Sequence, residues 1–207
     1  MRIVVINLDC SPDRLKKFKE TNSHIEFVRF SAIDGAAMGR DAVYGCAISH
    51  LTLWHQVISA GEPLTICEDD AIFSRFFEDD AERILATVSP KWDIILWGWN
   101  YDTTLHFYMG PSAFPSLCSA QFDEDQLRLT ADQFQDSAMG GRAFRLTRAY
   151  GTVCYTISPA GAEKLLEHCA TLFAPIDIML NEAYARMNSF VSFPPLVITK
   201  NEHEALL

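Results

Sequence analysis

At 207 residues and 49% hydrophobic content, the chain can bury one substantial core, and a single domain over residues 1–207 is the default. A formal net charge of −10 excludes a general nucleic-acid binder, which needs a basic surface to displace counterions from phosphate, so any anionic ligand has to be held locally. No apolar stretch approaches the ~20 residues of a membrane span, and six scattered cysteines without a CxxC or paired spacing argue against a disulfide framework or a zinc cluster and read as reduced, mostly buried thiols.

Residues 2–8 form a continuous apolar, β-branched run that predicts a strand buried on both faces. The run is too short for a secretory signal and passes straight into a charged helix pattern, so a cytosolic location is expected. Ser11-Pro12 opens that helix, with Ser as cap, Pro in the first turn and Asp13 favourable to the dipole. Residues 26–30 predict a second strand, closed by the turn Ala32-Ile33-Asp34-Gly35. Apolar side chains at helical spacing (Ile48, Leu51, Trp54, Val57, Ile58) predict a helix over residues 42–60 that stops at Gly61. A third strand over 64–67, a helix over 76–88 and a fourth buried strand over 92–97, ending at Gly98, follow.

Residues 101–136 mix Gly, Pro, Ser and acids without a clear period and read as a long excursion able to cover a site. Arg142, Arg145 and Arg148 then form the basic stretch of the chain. They either grip phosphate or an acidic acceptor, or balance the neighbouring acids. Residues 152–157 predict a strand, Ser158-Pro159 caps a helix to about residue 168, Ala174-Pro175-Ile176-Asp177 opens another through 186, and 190–199 closes as a last strand before a polar tail. There is no internal repeat and no linker. Strands alternating with helices predict an α/β fold, an open and mostly parallel sheet flanked by helices, whose ligands gather at the carboxyl ends of the strands. Asp9, Asp34, Glu68 and Asp70 all fall at such ends.

The acidic triplet carries the chemistry. Glu68, Asp69 and Asp70 interrupt an apolar run that resumes with Ala71, Ile72 and Phe73. Strand alternation sends Glu68 and Asp70 to one side and Asp69 to the other, so two carboxylates share one spot. A pair of this kind is relieved by a hard divalent ion such as Mg²⁺ or Mn²⁺, which prefers carboxylate oxygens and keeps positions open for phosphates. The plainer alternative is a solvated acidic turn after a buried strand. A metal-bound diphosphate leaving group would need a base on the acceptor side, and Asp177, at a helix start, is a candidate; its other role is an ordinary helix-end carboxylate favoured by the dipole.

Six segments in order, VINLDCSPDR, RFSAIDG, GCAISHLTLW, ICEDDAIF, AYGTVCYTISPAGAEKLL and APID, resemble glycosyltransferase family 25, the bacterial lipooligosaccharide glycosyltransferases related to enzymes that galactosylate collagen hydroxylysine. The resemblance implies a GT-A-like (Rossmann-like) fold, a UDP-sugar donor, UDP-galactose most often, a divalent metal (Mn²⁺ or Mg²⁺), and inversion at the anomeric carbon. It assigns residues 1–100 to nucleotide-sugar binding and 101–207 to the acceptor, a glycan or lipid-linked oligosaccharide, with peripheral contact at the inner-membrane surface. Metal binding would fall to Glu68 and Asp70. Asn7, Leu8, Asp9, Arg14, Asp34, Gly45, Ser49, His50 and Asp69 would serve the donor, Gly45 by letting its helix approach closely. From the residues alone, Arg14 reads equally as a surface pair on its helix, Asp34 as shaping its turn, and His50 as a buried, hydrogen-bonded histidine with no zinc-like partner. Trp97 and Trp99 either stack on a sugar or pack in the core.

Two other readings stand beside this one. A metal-dependent phosphohydrolase would use Asp9 as nucleophile, but the second Asp expected two residues later is Ser11. A non-catalytic nucleotide-sugar binder would keep the fold without turnover, against which the intact triplet weighs.

Overall fold

The computed structural model describes residues 1–88, 90–100, 103–109, 114–119 (backbone), 133–138, 140–170 and 174–199. Strands β1 (Ile3–Asn7), β2 (Val28–Ser31), β3 (Leu64–Glu68), β5 (Ile94–Gly98) and β10 (Ser189–Phe193) run in one direction, with β9 (Cys154–Ile157) reversed between β3 and β5. The sheet order is β2-β1-β3-β9-β5-β10, continued by β8 (Arg142–Arg148), β6 (Thr104–Met109) and β7 (Phe114–Ser119). Its first six strands make the open, mostly parallel α/β sheet that the alternation of elements anticipates, and β8, β6 and β7 extend it antiparallel. A separate two-stranded sheet pairs β4 (Ala71–Phe73) with β11 (Val197–Thr199), antiparallel.

Alternation along each strand sorts the core into two layers. Val4, Ile66, Leu96 and Tyr155 face helices α2 (Ala42–Ala60), α4 (Pro159–Cys169) and α5 (Ile176–Tyr184). Ile3, Val5, Cys67, Trp97 and Cys154 face α1 (Pro12–Thr21) and α3 (Phe77–Thr87). Helix α2 begins and ends as its sequence predicts: Asp41 accepts from the Tyr44 amide at 2.8 Å, and Gly61 closes it at φ 70°. Ser158 likewise caps α4, accepting from the Gly161 amide at 3.0 Å. Cys10, Cys46, Cys67, Cys154 and Cys169 are free thiols, as their spacing predicts. Among the described residues, no helix is long and apolar enough to cross a membrane.

Four expectations are corrected. Part of the region read as an unstructured excursion is the antiparallel hairpin β6–β7; inward Leu105 and Phe107 carry a period-two signal too short to stand out among the Gly and Pro around it. The rest of that region, and the tail beyond Thr199, lie outside the described residues. Arg142, Arg145 and Arg148 lie on strand β8, and the odd spacing of Arg142 and Arg145 over a regular register with β10 puts them on opposite faces, so the three do not form one patch. The final apolar run is two strands in two sheets, since Pro194 and Pro195 cannot continue a ladder. Ser11 caps α1 without a side-chain hydrogen bond; Asn7 Nδ2 donates to the Ser11 carbonyl instead.

Candidate active site

Every strand of the parallel set delivers its carboxyl end to one edge, and the acidic triplet stands in the middle of it. Strand β3 stops at Glu68, so Asp69 and Asp70 form a turn before β4, and the alternation assumed for a continuous strand ends there. The three carboxylates take three directions. Glu68 follows Leu64 and Ile66 onto the α2/α5 face and accepts a hydrogen bond from the Thr152 hydroxyl at 2.5 Å. Asp69 turns toward β1 and α1: Oδ2 accepts from Asn7 Nδ2 at 2.7 Å, and Oδ1 accepts from Arg14 Nε at 2.9 Å and pairs with its Nη2. Asp70 is bonded by the Thr199 hydroxyl at β11, while its Oδ1 is buried with no hydrogen-bond partner.

Asp69 is thus neutralised by Arg14, while Glu68 and Asp70 have hydroxyl partners and the Asp70 charge acts on Glu68. Desolvation, reinforced by the Asp70 charge and opposed by the Thr152 hydrogen bond, pushes Glu68 up to about 7. Desolvation also raises Asp70, against the pull of Arg14. Two carboxylates under this strain, one with a bare buried oxygen, match the donor set of a hard divalent cation. Among the described residues no group of three or more His, Cys, Asp or Glu could hold a metal. Glu68 and Asp70 would therefore be the two side chains to hold a cation, which would need its other ligands from elsewhere.

The other expected site residues separate into neighbours and supports. Asn7 is the hub of the β1 end, donating to Asp69 and to the Ser11 carbonyl and accepting from Arg29 Nε at 3.0 Å. Asp9 is exposed and paired with Arg29; hydrogen bonds from Arg29 and Ser31 hold its carboxyl below the usual range. Leu8 contributes its carbonyl to the Ser11 amide at 3.0 Å. Asp34 shapes its own turn, accepting from the Ala36 and Ala37 amides at 2.9 and 3.3 Å. Gly45 is required by the neighbouring backbone: a Cβ there would lie 2.3 Å from the Ile33 carbonyl oxygen and 2.6 Å from the Gly35 nitrogen. Ser49 Oγ accepts from the Ile33 amide and donates to the Gly45 carbonyl, both at 2.8 Å. Gly45 and Ser49 therefore lock α2 to the 33–35 loop, and their contacts are with that loop.

His50 is fully buried, with Nδ1 2.7 Å from the Tyr155 hydroxyl, which also accepts from Trp54 Nε1 at 2.9 Å. Burial drives its pKa down to about 3, so the ring is neutral. Trp97 is buried and donates to Thr156 at 2.6 Å, and Trp99 stacks on Phe193 with ring centroids 6.3 Å apart. Both tryptophans pack.

Asp177 stands in the first turn of α5, half-buried. Cys46, on α2, connects it with the triplet: burial pushes the thiol up to about 12, and the charges of Glu68 and Asp177 both add to the shift. Two carboxylates 109 positions apart in the chain thus both act on one side chain. Sequence reasoning missed Thr152, Arg29 and Thr199. Thr152 lies inside the AYGT segment, which contributes to the family resemblance without marking the threonine for a role.

An open α/β sheet that gathers carboxylates at its carboxyl edge is the frame of proteins that bind ligands outside the strand ends. Residues 37–180 match the family described as glycosyltransferase family 25 (LPS biosynthesis protein). The chain belongs to glycosyltransferase family 25. It is also similar to a protein of Acanthamoeba polyphaga mimivirus named as a glycosyltransferase, 30% identical over 122 residues; the match covers 47% of this chain and 37% of that one. Among solved structures, it is similar to the inositol-1-phosphate CTP transferase of T. maritima (12% identity, 96% of this chain and 69% of that one, TM-score 0.44). It is similar as well to mannose-1-phosphate geranyltransferase from Thermus thermophilus (10% identity, 96% and 73%, TM-score 0.42).

Proposed function

We propose that the protein is an inverting glycosyltransferase that moves a hexose, galactose in the first instance, from a UDP-sugar to a hydroxyl of a lipooligosaccharide or other glycan. One observation carries the reading: in a family 25 chain, Glu68, strained by burial and by the Asp70 charge, and Asp70, whose buried Oδ1 has no hydrogen-bond partner, both stand at the carboxyl edge of the sheet. Glu68 and Asp70 would hold a divalent ion, Mn²⁺ or Mg²⁺. When bound, that ion neutralises the charge growing on the departing diphosphate. Asn7 and Arg14 keep Asp69 out of this pair and hold the turn in place.

Asp177, whose charge reaches Cys46 as that of Glu68 does, takes the proton of the acceptor hydroxyl. The acceptor oxygen then forms its bond to the anomeric carbon as the bond from that carbon to the diphosphate oxygen breaks, which inverts the configuration. The acceptor we propose is lipid-linked and met at the cytoplasmic face of the inner membrane, with exposed Arg142 and Arg148 nearest to anionic groups on it.

A thermal-shift series with UDP, UDP-galactose and UDP-glucose, with and without Mn²⁺, tests the donor and the cation together, because a ligand of the native state raises its apparent stability. Product analysis then decides the reaction. Sugar on an acceptor supports the proposal; phosphate released from a monoester favours the phosphohydrolase reading, and binding without turnover favours a non-catalytic binder.

A further inference from the structure

Residues 149–152 form a strap from Glu68 to the helix that carries Asp177. At one end the Thr152 hydroxyl bonds Glu68 at 2.5 Å. At the other the Ala149 amide donates to Asn181 Oδ1 at 3.1 Å. Asn181 is buried on α5, four residues after Asp177 and so on the same side of that helix. Between these anchors the backbone of Tyr150 is clamped by one buried side chain: its amide donates to Thr103 Oγ1 at 3.1 Å, and Thr103 Oγ1 donates to its carbonyl at 2.5 Å. Gly151, at φ 85°, fits against Asn100, where a Cβ would come within 2.7 Å of the Asn100 side chain.

A segment fixed at four successive residues nevertheless leaves its one large ring outside: Tyr150 is 38% exposed. The indoles of Trp97 and Trp99 at the same edge are already engaged. Strand β9, which the strap enters, lies on the opposite side of β3 from β1, so the strap is set away from the β1 end, and its Ala149 end is bonded to the helix that carries Asp177. A rigid backbone with an exposed aromatic ring, tied at one end to Glu68 and at the other to the helix of Asp177, suits a pyranose. The C–H face of such a sugar is apolar and its rim of hydroxyls is polar, so one face packs on a ring while the rim remains free to react.

We propose that the ring of Tyr150 is the platform on which the acceptor sugar lies, held in place by the 149–152 strap. This deepens the proposed function and rests on it. The probes are methyl β-galactoside, methyl β-glucoside and methyl β-lactoside, each titrated by ligand-observed NMR into the full chain held with UDP and Mg²⁺, alongside calorimetry of UDP binding.

In the native protein the protons on one face of a bound pyranose are expected to shift upfield from the aromatic ring current. Tyr150→Ala is expected to lose that shift and bind the glycoside roughly tenfold more weakly, with UDP affinity and melting temperature kept. Tyr150→Phe is expected to retain the shift, since the ring is what binds. If the shift survives in Tyr150→Ala, or no glycoside of the panel shows one, the platform is wrong while the donor site stands. If Tyr150→Ala loses UDP binding, the ring belongs to the donor side and the assignment is overturned. A native protein that fails to bind UDP with Mg²⁺ overturns the proposed function itself, and the platform with it.

Discussion

Glu68, Asp69 and Asp70 are adjacent in the chain and chemically distinct in the fold, because each meets a different partner: Thr152, Arg14 with Asn7, and Thr199. That separation makes their variants distinguishable. Asp70→Asn is expected to keep the fold and lose most cation-dependent UDP binding and transfer, read by calorimetry and a turnover assay with Mn²⁺. Transfer at the native rate with the metal chelated would remove the pair from this role. Asp177→Asn is expected to keep UDP binding and lose transfer by roughly a hundredfold or more, the scale of removing a general base. A helix-end carboxylate alone predicts near-normal turnover and a loss of about 1 kcal/mol or less. Turnover and melting temperature measured on one preparation separate the two, and a stable, active variant would redirect the search to Glu182, exposed on the same helix.

At the scale of elements, the junction of α2 with the loop after β2 decides how the helix sits at the site edge. Gly45 has no room for a methyl group, and Ser49 bridges loop and helix one turn later. Gly45→Ala is therefore expected to force that junction apart at a cost of about 1–3 kcal/mol, lowering the melting temperature by roughly 2–10 °C in a chain of this size. If Gly45→Ala instead melts like the native protein and loses UDP affinity, the glycine faces the donor, as the family resemblance implies. Strand β8 shows the limit of reading charge from sequence: three arginines within seven residues look like a patch, and the pleat deals them to two faces.

For the whole molecule, two buried groups set opposing slopes of stability against pH. His50, held neutral with its pKa near 3, contributes stability that is present above its unfolded value and lost as pH falls from about 6.5. Glu68, raised from 4.5 to about 7, contributes stability that is present below 4.5 and lost as pH rises through 7. Their effects oppose each other between about pH 4.5 and 6.5. Glu68→Gln removes the second term, so urea melts of the cation-free variant are expected to exceed the native protein in stability by a margin that grows from pH 4.5 to 7, up to about 3 kcal/mol. A divalent cation should narrow that margin by stabilising the charged carboxylate of the native chain. A margin independent of pH would mean that Glu68 is already ionised without strain.

The sequence by itself determined what is local or periodic. The bounds of α2 followed from the Gly61 signal and 3.6-residue spacing, the cap of α4 from Ser158-Pro159, and the buried strands from unbroken apolar runs. It also placed the acidic triplet at the carboxyl edge of the sheet, where a parallel strand ends. Only the tertiary structure decided which carboxylate does what. The roles of Glu68, Asp69 and Asp70 depend on Thr152, Arg14 and Thr199, which lie 84, 55 and 129 positions away. The packing of α2 and α5 on one face lets the charges of Asp177 and Glu68 both reach Cys46. Desolvation and hydrogen bonding act through space, and no spacing along the chain encodes which distant hydroxyl or guanidinium will arrive beside a given acid.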